Sequence, residues 1–504
     1  MGWAGKLGPD AQSVNQRLPL TPRGSGAASI DYRGQRPLEH VGAGWAEFGI
    51  ASGAPLISGL DLERVRAVMA GRSPLSGAVL VMPKQAADPR STLAAGPLLE
   101  VLAEVAEGRG THLYELFEDT WSRRRHERLV GGFSRDGSHR APITDLERLV
   151  REVGLCLDDV YDESELAIAR AHERCRVRVG NRGYVLDLTS PKSVSLLYAL
   201  GLLCESPHVA RAVEEEFLAA GRAAAEAMQS WCVYGLAGHH GAGRCATRVS
   251  TSGMLATMAL YRTAHPVPGA TAGDPHLRIH LMVANMARCA DGKWRTVAAG
   301  GKDIYNHVTA LSELFKACVR SRLTARLGVA WEPGLHTPDW EIVGVGQQVR
   351  DIFSQRSRQI AAVAPRGAGV RERTRIGYST ARPALPNPFR EGHAWAQLAT
   401  HHGIDPEAVV ASVVGRHSEG DGDTPARLAD QLWDPRRGPV ADRAHVTRAQ
   451  VLTSAAALLR EGVRGRKELE CLVGAALDDD RIVKLPAVGA AHLSNSGRFA
   501  LHRP

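Results

Sequence analysis

Residues 265–287 read HPVPGATAGDPHLRIHLMVANMA, and their reading decides the fold. The first eleven carry three prolines and two glycines. From residue 276 the pattern changes. Leu277, Ile279, Leu281 and Val283 recur with a period of two, so they share one face of a strand spanning 276–285. His276, Arg278 and His280 fall on the opposite face. One face is therefore core and the other is polar, as on the floor of a site. Imidazoles on such a floor, with His265 just upstream, are candidate divalent-metal ligands. Satisfied surface histidines are the competing reading in a chain with 20 of them. Reach matters as well. Four residues apart on a straight strand, His276 and His280 are separated by about 13 Å at Cα. Arg278 stands between them and cannot ligate, because its guanidinium is always a cation. It repels a dication or holds a phosphate in its place.

The same alternation appears upstream in YVLDL (184–188), which runs into TSPKSVSLLYAL. A strand there gives way to a helix with Pro191 in its first turn and Thr189 or Ser190 as cap. Asp187 is then either a strand-end cap or a functional carboxylate. Lys192 and Ser193 begin either an ordinary capped helix or a phosphate-holding one. Residues 210–230, ARAVEEEFLAAGRAAAEAMQS, make the clearest amphipathic helix. Helical spacing recurs at 61–71, 97–107, 308–326 and through 394–474, whereas 363–392 reads as an irregular basic segment. RRRHER (123–128) reads first as a solvated helix face.

The remaining bounds come from composition. The chain has 504 residues, 44% apolar and 23% charged, which excludes a mostly disordered polymer. A formal charge of +8 favours an anionic partner, either nucleic acid or an acidic membrane surface. Eight cysteines without a CxxC pair argue against a thiolate zinc site and fit reduced cytosolic thiols. There is no signal-like apolar run at the start and no stretch long enough to span a bilayer, so the expected location is the cytoplasm. GGKD at 300–303 lacks the spacing of a phosphate-binding motor loop. Residues 1–30 are rich in Gly, Pro, Ser and Gln and read as a mobile tail. Tyr32, the first tyrosine of the chain, lies beside Arg33. It is either an early anchor of the fold or a phenol activated by a neighbouring cation.

Four blocks taken together resemble the relaxase domain of conjugative plasmid proteins, the TrwC/MobF type within the HUH endonucleases. DYRGQRPLEHVGAGWAEFGI (31–50) with AGRSPLSGAVL (70–80) is similar to that family's tyrosine block. YVLDLTSPKSVSLLYALG (184–201) resembles its PKSVS block. GHHGAGRCATRVSTSG (238–253) resembles the block before the metal strand, and 265–287 resembles the three-histidine block. The likeness covers about 31–400.

The resemblance implies an α+β fold, a central antiparallel sheet flanked by helices in the manner of a relaxase palm. It implies a nicking domain at 31–400; the sequence after it reads as a mostly helical extension at 401–504 without the helicase half that many such relaxases carry, so the expectation is a stand-alone or a truncated relaxase. It implies site- and strand-specific nicking and joining of single-stranded DNA at a plasmid or mobile-element origin of transfer. Tyr32 would attack and form a 5′-phosphotyrosyl link, with Asp187 serving proton transfer. His265, His280 and, by substitution, His276 would hold a divalent cation (Mg, Mn or Zn). Lys192, Ser193, Arg278, Arg244 and Arg382 would contact DNA, and relaxosome and type IV secretion components would be further partners. Two departures qualify the match: Arg278 occupies the middle histidine position, and no tyrosine precedes Tyr32. A catalytically impaired, single-stranded DNA-binding module is the alternative, and a structural protein at a membrane surface is a third reading.

Overall fold

The computed structural model describes residues 3–7, 37–82, 84–134, 136–178, 180–205, 207–238, 246–335, 337–380, 388–417, 424–486 and 497–501. Its centre is a five-stranded antiparallel sheet. The strands are β1 (Trp3–Leu7), β2 (Glu39–Val41), β3 (Gly183–Thr189), β4 (Ala256–Thr263) and β5 (Pro275–Ala284), in the spatial order β1-β3-β5-β4-β2. β5 therefore lies in the middle, and its last four residues, Leu281–Ala284, are apolar and buried on both faces. Leu277, Ile279, Leu281 and Val283 join the main apolar cluster on one face. Met282 and Ala284 join a smaller cluster on the other, so the expected two-faced strand is present.

Helix α1 (Gly59–Met69) covers part of that second face. A capping box starts it: the Ser58 hydroxyl accepts from the Asp61 N–H, and the Asp61 carboxylate accepts from the Ser58 N–H. Its Leu62, Val65, Val68 and Met69 belong to the same cluster as Val185 and Met282. The first face is covered by α2 (Lys192–Leu203), α3 (His208–Cys232) and α4 (Lys302–Leu327). α3 lies so close to the sheet that a Cβ on Gly221 would stand 2.4 Å from Ile279 Cδ1. Phe217 and Phe315 then meet edge-on at 5.0 Å, joining α3 to α4.

Four expectations change. Residues 3–7, placed in a mobile tail, form the edge strand β1 and pair with β3 from Trp3↔Asp187 to Leu7↔Gly183. Residues 31–400 are not one unit. Met82–Gly180 forms its own, with helices Ala95–Arg109, Thr120–Phe133, Ile143–Glu152 and Glu163–Ala171 around a separate core of Leu98, Leu102, Phe117, Leu146 and Leu149. Within it the 123–128 run lies on a largely exposed helix face, with Arg125 paired to Asp145. Nor is 401–504 a unit apart. Leu428, Trp433, Val451, Leu469 and Phe499 share the main core with the sheet, because their helices each leave an apolar stripe that needs a partner. The extension is mostly helical, as expected, with a small sheet of Val446–Thr447, Ile482–Leu485 and Arg498–Leu501. The 363–392 stretch also differs, since Val370–Ser379 and the start of Pro388–His401 are helical.

Arg320 shows how tightly the extension is held. It is buried on α4 and donates to the carbonyls of Ala456 at 2.7 Å and Leu459 at 2.9 Å, at the end of helix Arg448–Leu458. Arg320→Met leaves those buried acceptors unmatched, and a loss of about 2–4 kcal/mol in chemical denaturation is expected. A separate early transition for the C-terminal residues in wild type would contradict the shared core.

His40 on β2 is buried against Trp45, with ring centroids 4.3 Å apart. Burial pulls its pKa down to about 4, partly opposed by Asp61. The unfolded chain, titrating near 6.5, then binds the proton first. Stability is kept above pH 6.5 and lost as pH falls towards 4, by about 2–3 kcal/mol. His40→Gln should flatten this acid slope in denaturation midpoints compared between pH 7 and pH 4.

Candidate functional site

Beyond α1, the second sheet face turns polar at one end. β3, β5 and β4 bring their polar residues together there. His280 stands opposite Asp187 of β3 and Ala259 of β4, while Arg278 stands opposite Thr189 and Tyr261. Cross-strand neighbours on one face lie about 5 Å apart at Cβ, so register alone places these groups in contact. The His280 Nε2 lies 3.3 Å from Asp187 Oδ1, with both side chains mostly shielded. The Tyr261 ring lies 4.4 Å from the His280 ring, tilted by 41°. The Arg278 guanidinium lies 5.8 Å from the centre of the Tyr261 ring and donates to the Thr263 carbonyl at 2.8 Å.

Beside this group is a cavity of about 680 Å³, lined by Lys192, His265, His276, Arg278, Arg356 and Arg373 among others. The loop between β4 and β5 shapes its wall. It is closed at its base by an N–H···O bond from Ala264 to Asp274, and a Cβ on Gly273 would stand 1.8 Å from the Ala264 carbonyl oxygen. Asp274 is buried and accepts from the Arg356 N–H at 2.9 Å and from Gln355 Nε2 at 3.3 Å. Burial raises its pKa against these bonds and the pull of Lys192. Lys192 Nζ donates to the Pro275 carbonyl at 2.7 Å. Desolvation lowers its pKa to about 8, against the attraction of Asp274 and Glu341. Burial pushes His276 well below its usual value, with Arg278 and Lys192 adding to the effect, so its imidazole is neutral.

The fates of the expected site residues differ. Asp187 and His280 meet. His265 and His276 line the cavity with Arg278 and Lys192, but His280 is a step away along β5, with Arg278 between. Among the described residues no group of three or more His, Cys, Asp or Glu side chains converges to hold a metal ion. At about 4 Å and an effective dielectric near 20, a dication beside that guanidinium is repelled by roughly 8 kcal/mol. The expected three-histidine centre is thus not assembled by these residues, and the reach limit of a straight strand accounts for it.

Ser193 is also corrected. It is fully buried, its N–H is bound by the Glu341 carboxylate at 3.0 Å, and its hydroxyl accepts from the Ile342 N–H at 2.9 Å. A carboxylate therefore takes the place at the start of α2 that a phosphate was expected to take, and neither Thr189 nor Ser190 caps the helix. Tyr32, Arg244 and Arg382 lie outside the described residues.

Sequence reasoning missed Tyr261, Asp274, Glu341 and Arg356, and reached Arg373 only as one arginine of the basic segment 363–392. The first has a trace in the alternation of ATMALYRT (256–263), but its partner depends on strand register. The arginines lie on two helices that pack together, α5 (Gln355–Val363) and α6 (Val370–Ser379), where Arg356 donates to the Gly377 carbonyl at 2.7 Å.

None of the curated proteins compared matches the chain. Solved structures do. A conjugative relaxase TrwC in complex with oriT DNA, in its metal-bound form, is 16% identical. The match covers 81% of this chain and all of that one, at a TM-score of 0.48. The metal-free TrwC–oriT complex is 16% identical over 80% of this chain and all of that one, at 0.46. A TrwC complex with a 27-mer comprising the recognition hairpin and cleavage site is 15% identical over 64% and all of that chain, at 0.38. The family model described as TrwC relaxase matches residues 23–400, well over half of the 504 residues. On that match, the chain belongs to the TrwC relaxase family.

Proposed function

We propose that the chain nicks and rejoins single-stranded DNA at the origin of transfer of a plasmid or mobile element, by tyrosine transesterification. The observation that carries this reading is the His280–Asp187 pair, 3.3 Å apart on the polar part of the sheet beside a cationic cavity. Tyr32 is the nucleophile. Its phenol oxygen forms a bond to phosphorus, the bond to the 3′-oxygen breaks, and that oxygen leaves as a 3′-OH while the phosphoryl group stays on the 5′ side. The reaction exchanges one phosphoester for another, so the reverse step rejoins the strand. Asp187 holds the His280 imidazole and stabilises its charged form while the ring takes the phenol proton. Lys192 and Arg278 face the strand's phosphates, with Arg244 and Arg382 as further contacts. No step is assigned to a divalent cation, since the residues present do not match the three-histidine set. The DNA of the solved TrwC complexes supports an origin-of-transfer strand as partner. Relaxosome and type IV secretion components, met in the cytoplasm, complete the proposal. No helix among the described residues is long and apolar enough to cross a membrane.

The test is an SDS-stable protein–DNA adduct between the full chain and single-stranded oligonucleotides spanning the origin of the element that carries it. Adduct together with a free 3′-OH supports the reading. Arg278 at the middle histidine position favours a second reading, strand binding without cleavage. That reading predicts salt-sensitive binding with no adduct under any metal.

A further inference from the structure

We infer that Arg278 takes over the place of the family's metal at the phosphate, so that the cavity beside the His280–Asp187 pair seats a DNA phosphodiester without a divalent cation. The inference rests on the proposed reaction for its substrate. Its support is the geometry of the seat. Arg278 projects from the central strand between His276 and His280. The Thr263 carbonyl on β4 accepts from its Nη2 at 2.8 Å and holds the guanidinium against the sheet. The guanidinium also lines the cavity. Lys192, Arg356 and Arg373 line the same cavity, and Asp274 is its one lining carboxylate among the described residues. Asp274 is bound to the α5 backbone and buried, so it offsets little of the positive field. Arg373 is exposed on α6 at this cavity.

The arrangement recognises an anion with planar oxygen pairs, which a guanidinium binds through two parallel N–H donors. A phosphodiester of the single strand has that chemistry. Its negative charge is neutralised by a fixed cation of this chain, the task that a metal performs elsewhere.

The experiment uses the full chain and a fluorescein-labelled fifteen-residue oligothymidylate, read by anisotropy in EDTA and in millimolar MgCl2 or MnCl2. Wild type is expected to bind equally well, within about twofold, in EDTA and in either metal. Arg278→Ala should weaken binding about tenfold in EDTA and lower the salt slope by about one. Arg278→Lys, which keeps the charge, should recover part of that loss and so guards against a misfolded alanine variant. Calorimetry with Mn²⁺ alone should show no binding to wild type and measurable binding to Arg278→His. Wild-type affinity that collapses in EDTA and returns with Mn²⁺ overturns the inference, as does an Arg278→Ala chain that binds like wild type. Failure of the reaction is read separately. EDTA-insensitive binding without any adduct defeats the nicking proposal and leaves the seat standing, while an adduct that needs a metal does the reverse.

Discussion

Tyr32→Phe is expected to reduce adduct formation by more than about 10⁴-fold, to background, while leaving strand affinity within about twofold. The change removes one oxygen. Without it no bond to phosphorus can form, and neither the sheet nor the cationic cavity replaces that atom. Denaturing gels of adduct against time, with anisotropy on the same preparations, separate the two effects. An adduct that persists would show that another of the nine tyrosines attacks. Tyr261 would then be the next to replace, since its ring lies 4.4 Å from that of His280.

Asp187→Asn is expected to slow adduct formation by about 10²–10⁴-fold without weakening DNA binding. Asparagine nearly matches the shape of aspartate but carries no charge, so it no longer stabilises a protonated imidazole 3.3 Å away. His280→Ala should fall in the same range. The double variant should be little slower than the slower single one, because two residues acting as a unit are not additive. Affinity should hold or rise slightly, since a negative charge beside the strand is lost. A single-turnover rate for Asp187→Asn at half of wild type or above would remove this pair from the proton path. Two independent, multiplicative effects would separate Asp187 from His280.

The contacts of this site differ in how far the sequence alone reveals them. The period of two in 276–285 was enough to place His276, Arg278 and His280 on one face of a buried strand, because side-chain alternation is a property of the strand itself. Asp187 was visible at the end of a second strand. That it stands opposite His280 follows from register, and a slip of one residue would have turned it to the other face. Ser193 misled for a similar reason. A serine at a helix start suits a phosphate, yet Glu341, about 150 residues later, occupies that position. Among the described residues the three-histidine set is not gathered, and histidines four apart on a straight strand, with an arginine between them, have little common reach.

By itself, the sequence determined the α+β class, the polar strand face, the main helices and the four blocks that resemble the relaxase family. All of these depend on local periodicity or on short runs of residue types. Tertiary structure alone decided which strands neighbour β5 and that residues 3–7 complete the sheet edge. It also decided that 82–180 has its own core and that the C-terminal helices share the sheet's core through contacts such as Arg320 to Leu459. It gathered Arg278, Lys192, Arg356 and Arg373 around one cavity. Their positions span 182 residues, and a group assembled by packing across that separation leaves no periodic trace in a single chain.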